Sequence, residues 1–208
     1  MQNNKILLYP GGFKPFHDGH LLLLEDILYT YQINNIYIIT SNKDRDNISA
    51  NDMVPIINSA INFLETHYSP VSIYYKCIQG SPIAECYKIV NNSNDNEIFT
   101  LLSSNKSNTD YKRTVDFYEG YKVNGKYNKN IWDYDKVYDL NYIPSTYEFY
   151  NRNDEYNNEN ISATILRQDI LHNDFNNFKS GYQYMILRNI IDENELLKIF
   201  NKLRLKLI

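Results

Sequence analysis

Two histidines three residues apart, His17 and His20, stand in the run Gly11-Gly12-Phe13-Lys14-Pro15-Phe16-His17-Asp18-Gly19-His20, which also holds three of the chain's seven glycines and a lysine. Glycine lets backbone approach a ligand closely, proline stiffens a turn, and imidazole N–H and ammonium groups are donors to anionic oxygens. Together these are the parts of a polyphosphate cradle, in which preset donors stabilise oxygens that gain charge as pyrophosphate leaves. Around the run, Lys5-Ile6-Leu7-Leu8-Tyr9 reads as a short buried strand and Leu21 to Tyr31 as an apolar-faced helix. The run therefore occupies a β-to-α junction, where the first helical N–H groups attract anions. Histidines spaced i, i+3 at a helix start share one face of its first turn.

A second group of suitable residues lies in Asn160-Ile161-Ser162-Ala163-Thr164-Ile165-Leu166-Arg167. Ser162 or Thr164 can cap a helix, and Arg167, three residues after Thr164, offers a forked cationic donor. With both segments in view, a resemblance emerges. Gly12-Phe13, Pro15 and His17-Asp18-Gly19-His20 resemble the GxFxPxHxGH signature of the HxGH nucleotidyltransferase superfamily, and residues 160–167 are similar to its ISSTxIR segment. Members include pantetheine-phosphate adenylyltransferase, nicotinamide-mononucleotide adenylyltransferase and glycerol-phosphate cytidylyltransferase, which transfer a nucleoside monophosphate from a triphosphate to a phosphorylated acceptor. Phage-encoded members look especially similar over Lys43-Asp44-Arg45-Asp46-Asn47-Ile48-Ser49.

The resemblance implies roles. His17, His20 and Lys14 would be catalytic; Gly11, Gly12, Phe13, Gly19, Ser162, Thr164 and Arg167 would bind the nucleotide; Lys43 and Arg45 would meet the acceptor or a phosphate. Mg²⁺ would arrive with the nucleotide, since no dedicated carboxylate cluster is evident for a resident metal. The triphosphate is ATP or CTP, and the acceptor a small phosphorylated molecule. Nicotinamide mononucleotide is the first specific candidate, because Ile161-Ser162-Ala163-Thr164-Ile165-Leu166-Arg167 is close to that branch's form, and an alcohol phosphate is the next. One departure concerns the end of the fourth strand, where many relatives carry an aspartate near Ser103-Ser104; here Asn105 and Asn108 fill the neighbourhood, with Asp110 later. A reading from another class stays open: a virus-encoded structural or assembly protein of a virion that reuses the fold, with or without nucleotide binding.

The elements that must position these residues alternate. Asn35 to Thr40, Val71 to Ile78 and Glu97 to Leu102 read as strands, a helix follows Ser49, and Ser81-Pro82 opens another through Val90. The expectation is an α/β fold: a Rossmann-like, doubly wound, parallel five-stranded sheet, with Lys136 to Leu140 as its fifth strand. The chain reads as one domain over 1–208, with an atypical insertion around 114–160 and C-terminal helices over 164–208. Within the insertion, Asn124-Gly125 suggests a hairpin spanning Gly120 to Tyr127, and residues 147–159 show no period. Ile170, Leu171, Phe175 and Phe178 predict one packing stripe ended by Gly181, and a last helix runs from about Tyr182 to Leu205, interrupted near Asp192 to Asn194. Cys77 and Cys86 fall in apparent core elements.

Composition bounds the partners. A net charge of −4 opposes broad affinity for a nucleic-acid backbone, and the 20 tyrosines are scattered rather than gathered into a stacking platform. No apolar run approaches the roughly 20 residues that span a bilayer. No secretion signal precedes the first strand, so the expected site is cytoplasmic: the host cytoplasm for a virus-encoded enzyme, and the virion in the alternative reading. A homo-oligomer or a larger viral assembly is compatible with an apolar C-terminal helix face.

Overall fold

The computed structural model describes residues 4–94, 96–102, 108–121 and 161–207. Two compact units share the chain, the first from residues up to 11, 31–42 and 68–142 and the second from 12–30, 43–67 and 143–208, each through its described residues.

The first unit is built on an all-parallel sheet of four strands, β1 (Asn4–Gly11), β2 (Asn35–Ser41), β3 (Ser72–Ile78) and β4 (Glu97–Leu101), in the order β3-β2-β1-β4. The unbroken apolar run Ile6-Leu7-Leu8-Tyr9 belongs to an inner strand, and all four residues are buried. Ile6 and Leu8, with Ile39, Phe99 and Leu101, project from one face. They pack with Cys86 and Val90 of α3 (Pro82–Asn91) and with Phe117, Tyr118 and Tyr121 of α4 (Asn108–Tyr121). On the opposite face Leu7, Tyr9, Ile36, Ile38, Thr40 and Thr100 are buried as well. Pro82 opens α3, where its missing N–H costs nothing. Tyr118 ties α4 to the sheet: its hydroxyl accepts from the Leu101 backbone N–H at 2.9 Å and pairs with the Thr100 hydroxyl at 2.8 Å.

Several sequence expectations change here. Residues 108–121, read from the sequence as the neighbourhood of the fourth strand's end and the start of the atypical insertion, form a helix, because Phe117, Tyr118 and Tyr121 provide an i, i+1, i+4 apolar edge for the sheet to bury. Gly120 and Tyr121 accordingly end that helix instead of opening a hairpin. Cys77 is exposed, because β3 is an edge strand among the described residues and its burial is mostly confined to Ile73; Cys86 is buried as expected. The proposed fifth strand, the Asn124-Gly125 turn and residues 147–159 lie outside the described residues.

The second unit is helical. It holds α1 (Asp18–Thr30), α2 (Ala50–His67), α5 (Ala163–Leu171), α6 (Phe175–Ser180), α7 (Gln183–Leu187) and α8 (Glu193–Leu207). Met53, Ile56, Ile57, Ala60, Ile61 and Leu64 form the buried stripe of α2, and Leu196, Ile199, Phe200 and Leu203 that of α8. The stripe expected to run through Ile170, Leu171, Phe175 and Phe178 is broken. Leu171 ends α5 and is exposed, and Asp174 starts α6 by accepting from the Asn177 N–H at 3.0 Å. The last helix is interrupted, as expected, where Asp192 caps α8 through the N–H groups of Asn194 and Glu195. Gly181 does end a helix, yet its φ of −73° needs no glycine. Space does: a Cβ there would lie 2.7 Å from Leu166 Cδ2.

Asp52 fastens this unit together. Its carboxylate accepts from the backbone N–H and hydroxyl of Ser49 at 2.9 and 2.7 Å, half of a capping box, while Lys206 reaches both oxygens at 2.8 and 2.6 Å and Lys202 approaches to 3.1 Å. Burial opposes ionisation, but the hydrogen bonds from Lys206, Ser49 and Lys202 outweigh it and hold the carboxyl well below the usual carboxylate range. Asp52→Ala should cost about 2 kcal/mol at pH 7, from the lost cap and charge-assisted bonds. A depressed folded pKa stabilises only where the unfolded carboxyl is ionised, so in urea melts the deficit should shrink as pH falls below about 4. A deficit that persists unchanged at pH 3 would contradict this account.

Among the described residues, no helix is long and apolar enough to cross a membrane.

Candidate functional site

The strand order reverses between β1 and β4, and Gly11, the last residue of β1, hands the chain directly to Gly12 and the signature segment. From Gly12 onward the segment belongs to the helical unit. Phe13 takes a left-handed conformation with φ 47°, and Phe13, Lys14, Pro15, Phe16, His17, Asp18 and Gly19 are all buried. His17 immediately precedes α1 and His20 lies in its first turn, with ring centroids 3.9 Å apart. Phe16 stacks on His20 at 5.2 Å and Phe13 meets it edge-on at 5.1 Å, so the second imidazole belongs to a cluster of three mutually packed rings.

The backbone assigns the tautomers. His17 N–H donates to His20 Nδ1, and Gly19 N–H donates to His17 Nδ1, both at 3.2 Å. A nitrogen that accepts carries no hydrogen, so in each ring the proton resides on Nε2. Both imidazoles are thereby set as Nε2–H donors without needing a positive charge.

Asp18, between the two histidines, anchors the motif from below. Its two oxygens accept from the N–H groups of Tyr184 and Met185, at 2.7 and 3.1 Å, which are first-turn amides of α7. Its own N–H donates to the Gly181 carbonyl at 3.0 Å. Burial pushes the carboxyl up to about 8; the two backbone N–H groups pull the other way, and Glu25 adds to the rise. Tyr182, whose buried hydroxyl has no hydrogen-bond partner among the described residues, has its phenol pushed up by burial and by Asp18.

The late segment meets the early one directly. Ser162 caps α5 by accepting from the Ile165 N–H at 3.3 Å. Arg167 is buried, and each of its nitrogens has a partner: Nη1 donates to the Lys14 carbonyl at 2.8 Å, Nη2 to the Thr164 hydroxyl at 3.2 Å, and Nε to Asp46 Oδ2 at 2.6 Å. Lys14, itself buried, donates through Nζ to the Lys43 carbonyl at 2.7 Å. Between Lys43 and Ser49 the chain makes a two-residue turn. Arg45 and Ile48 exchange both backbone hydrogen bonds at 3.0 Å, with φ of 48° at Asp46 and 58° at Asn47. This turn aims Asp46 at Arg167 and brings an Arg45 guanidinium nitrogen within 3.5 Å of where a Gly12 Cβ would lie.

Gly12, Lys14, Arg45, Thr164 and Arg167 are thus linked through one set of contacts in the helical unit, adjoining the histidine pair along the chain. Gly11 and the end of β4 belong to the sheet unit, and the side chains of Asn105, Asn108 and Asp110 lie outside the described residues. Lys43 accepts from Lys14 through its backbone carbonyl, and the residue is exposed. Sequence reasoning missed Asp18 and Asp46. Asp18 occupies the unspecified place of a four-residue motif and gives no signal of its own, whereas Asp46-Asn47, two residues that tolerate positive φ, was a readable turn signal. No group of three or more His, Cys, Asp or Glu side chains suited to a metal ion occurs among the described residues.

No protein-family model matches this chain, and no curated protein sequence matches it either.

Proposed function

We propose that the protein is a nucleotidyltransferase with a Rossmann-like, doubly wound core, transferring a nucleoside monophosphate from ATP or CTP to a small phosphorylated acceptor. The observation that carries this reading is the hydrogen bond from Arg167 to the Lys14 carbonyl, which joins two segments 153 residues apart beside a pair of Nε2–H imidazoles. An acceptor phosphate oxygen attacks the α-phosphorus in line, the bond to the bridging oxygen breaks, and pyrophosphate leaves. Little covalent work falls to the protein; positioning and charge stabilisation carry the rate. His17 and His20 donate to oxygens of the α- and β-phosphates as charge builds. Lys14 and Arg167 supply positive charge, and the Thr164 hydroxyl and the start of α5 add neutral donors. Arg45, beside Gly12, serves the acceptor or the outer phosphates. These imidazole, guanidinium and ammonium groups are donors to phosphate oxygens and not ligands for a hard cation, so Mg²⁺ would be held by the triphosphate's own oxygens and would supply charge neutralisation there. Nicotinamide mononucleotide is the first acceptor to try.

Thermal-shift screening of ATP and CTP with Mg²⁺, followed by a pyrophosphate-release assay with nicotinamide mononucleotide and glycerol phosphate, tests the reading. Stabilisation by a triphosphate and acceptor-dependent release are expected. Folded protein that neither shifts nor releases pyrophosphate across the panel would overturn it, and incorporation into a virion under those conditions would favour the structural alternative.

A further inference from the structure

We propose that Asp46 is a built-in competitor of the substrate: its carboxylate holds the Nε edge of Arg167 until a polyphosphate oxygen displaces it. The inference rests on the nucleotidyltransferase reading. Arg167 has three partners of two kinds. The Lys14 carbonyl and the Thr164 hydroxyl are neutral; they hold the guanidinium plane in place but leave its charge uncompensated. Asp46 alone is anionic, and it approaches to 2.6 Å.

The two members of the ion pair differ sharply in setting. The Arg167 side chain is 7% exposed and that of Asp46 59%. Removing a partner from a buried cation is costly unless another anion takes its place. Withdrawing an exposed carboxylate to water costs far less. An incoming phosphate oxygen therefore exchanges one anion for another at Arg167 and returns Asp46 to solvent, with no charge stranded. The carrier of Asp46 suits such an exchange, because it is the tip of an exposed two-residue turn. The same turn carries Arg45, whose guanidinium lies by Gly12 and has no ion pair among the described residues.

A consequence for substrate class follows. A ligand must outbid a carboxylate for Arg167, so the threshold favours a triphosphate, with several charged oxygens, over the monophosphate of the acceptor. Asp46 thus acts as a positioning and selectivity residue, keeping the acceptor's phosphate off the triphosphate's arginine.

The test is calorimetric titration of wild type, Asp46→Asn and Asp44→Asn with ATP, CTP and AMP, each with Mg²⁺. Asp44→Asn makes the same charge change on the same exposed loop, with no bond to Arg167. Asp46→Asn should bind the preferred triphosphate about 3- to 10-fold tighter, matching loss of a partly exposed ion pair, and should gain measurable AMP binding; Asp44→Asn should stay within about 2-fold of wild type. Equal tightening by both variants would reduce the effect to net charge and overturn the proposal. Unchanged or weaker binding by Asp46→Asn, with wild type binding normally, would overturn it while leaving the enzyme reading intact. Absence of triphosphate binding in every variant would overturn both. Asp46→Gly, which suits the positive φ, takes the same measurement if the asparagine variant does not fold.

Discussion

If the proposed nucleotidyl transfer holds, replacing His20 by alanine should lower pyrophosphate release by about 100- to 1,000-fold, the range that follows loss of one preset donor to a developing charge. The geometry makes the effect specific. His20 accepts the His17 N–H through Nδ1, which fixes Nε2–H as its donor, and the rings of Phe13 and Phe16 hold the plane. A donor frozen before the reaction pays no reorganisation as charge develops, so its loss falls on turnover more than on triphosphate affinity. His20→Gln, which can place an amide nitrogen near the former Nε2, should recover part of the rate, whereas His20→Asn should not. Single-turnover rates alongside titrated ATP affinity would separate these terms, with melting curves to confirm folding. A rate unchanged in a folded His20→Ala protein removes the residue from the chemistry.

Asp18 gives the largest expected effect on stability. Alanine there strands the first-turn N–H groups of Tyr184 and Met185 in a buried setting, at a cost of about 2–4 kcal/mol. The pH dependence carries the more distinctive signature. Burial raises the folded carboxyl to about 8, so between about pH 4 and pH 8 the folded protein keeps a proton that the unfolded chain has lost. Stability therefore falls as pH rises through that window, at most by about 1.4 kcal/mol per pH unit, and levels off above it. Asp18→Asn preserves an acceptor oxygen and removes the ionisation, so its melting temperature should lose this slope while exceeding that of Asp18→Ala. Glu25 and Tyr182, the other titratable groups acting on this carboxyl, stay in place in both variants. Parallel pH profiles for wild type and Asp18→Asn would refute the assignment.

What the sequence disclosed and what it hid divide along physical lines. Strands β1 to β4 and helices α1 to α3 were legible because their apolar runs match the period of what they form. Helix α4 was not, because its opening residues Asn108-Thr109-Asp110 are polar and the apolar edge that the sheet buries, Phe117, Tyr118 and Tyr121, lies in its second half. The exposure of Cys77 depends on strand order, which pairing decides and periodicity does not. At the site, the sequence singled out two segments far apart in the chain, and these segments do meet. The state of each group was hidden. The imidazole tautomers depend on two backbone N–H groups, and the engagement of Arg167 by Asp46 spans 121 residues that no local pattern connects.

The tyrosine hydroxyl that binds α4 to β4 also governs what the sheet can do in company. The Leu102 N–H turns inward to the Leu8 carbonyl, so the preceding N–H of Leu101 faces the outer side of β4. An outward N–H on a strand edge is an invitation to any other extended chain, and continued pairing of that sort leads to aggregation. Tyr118 answers it with an oxygen from the protein's own helix. Among the described residues no strand lies on that side of β4, and any strand that pairs there meets a Leu101 N–H already engaged by Tyr118 at the carboxyl end of the strand.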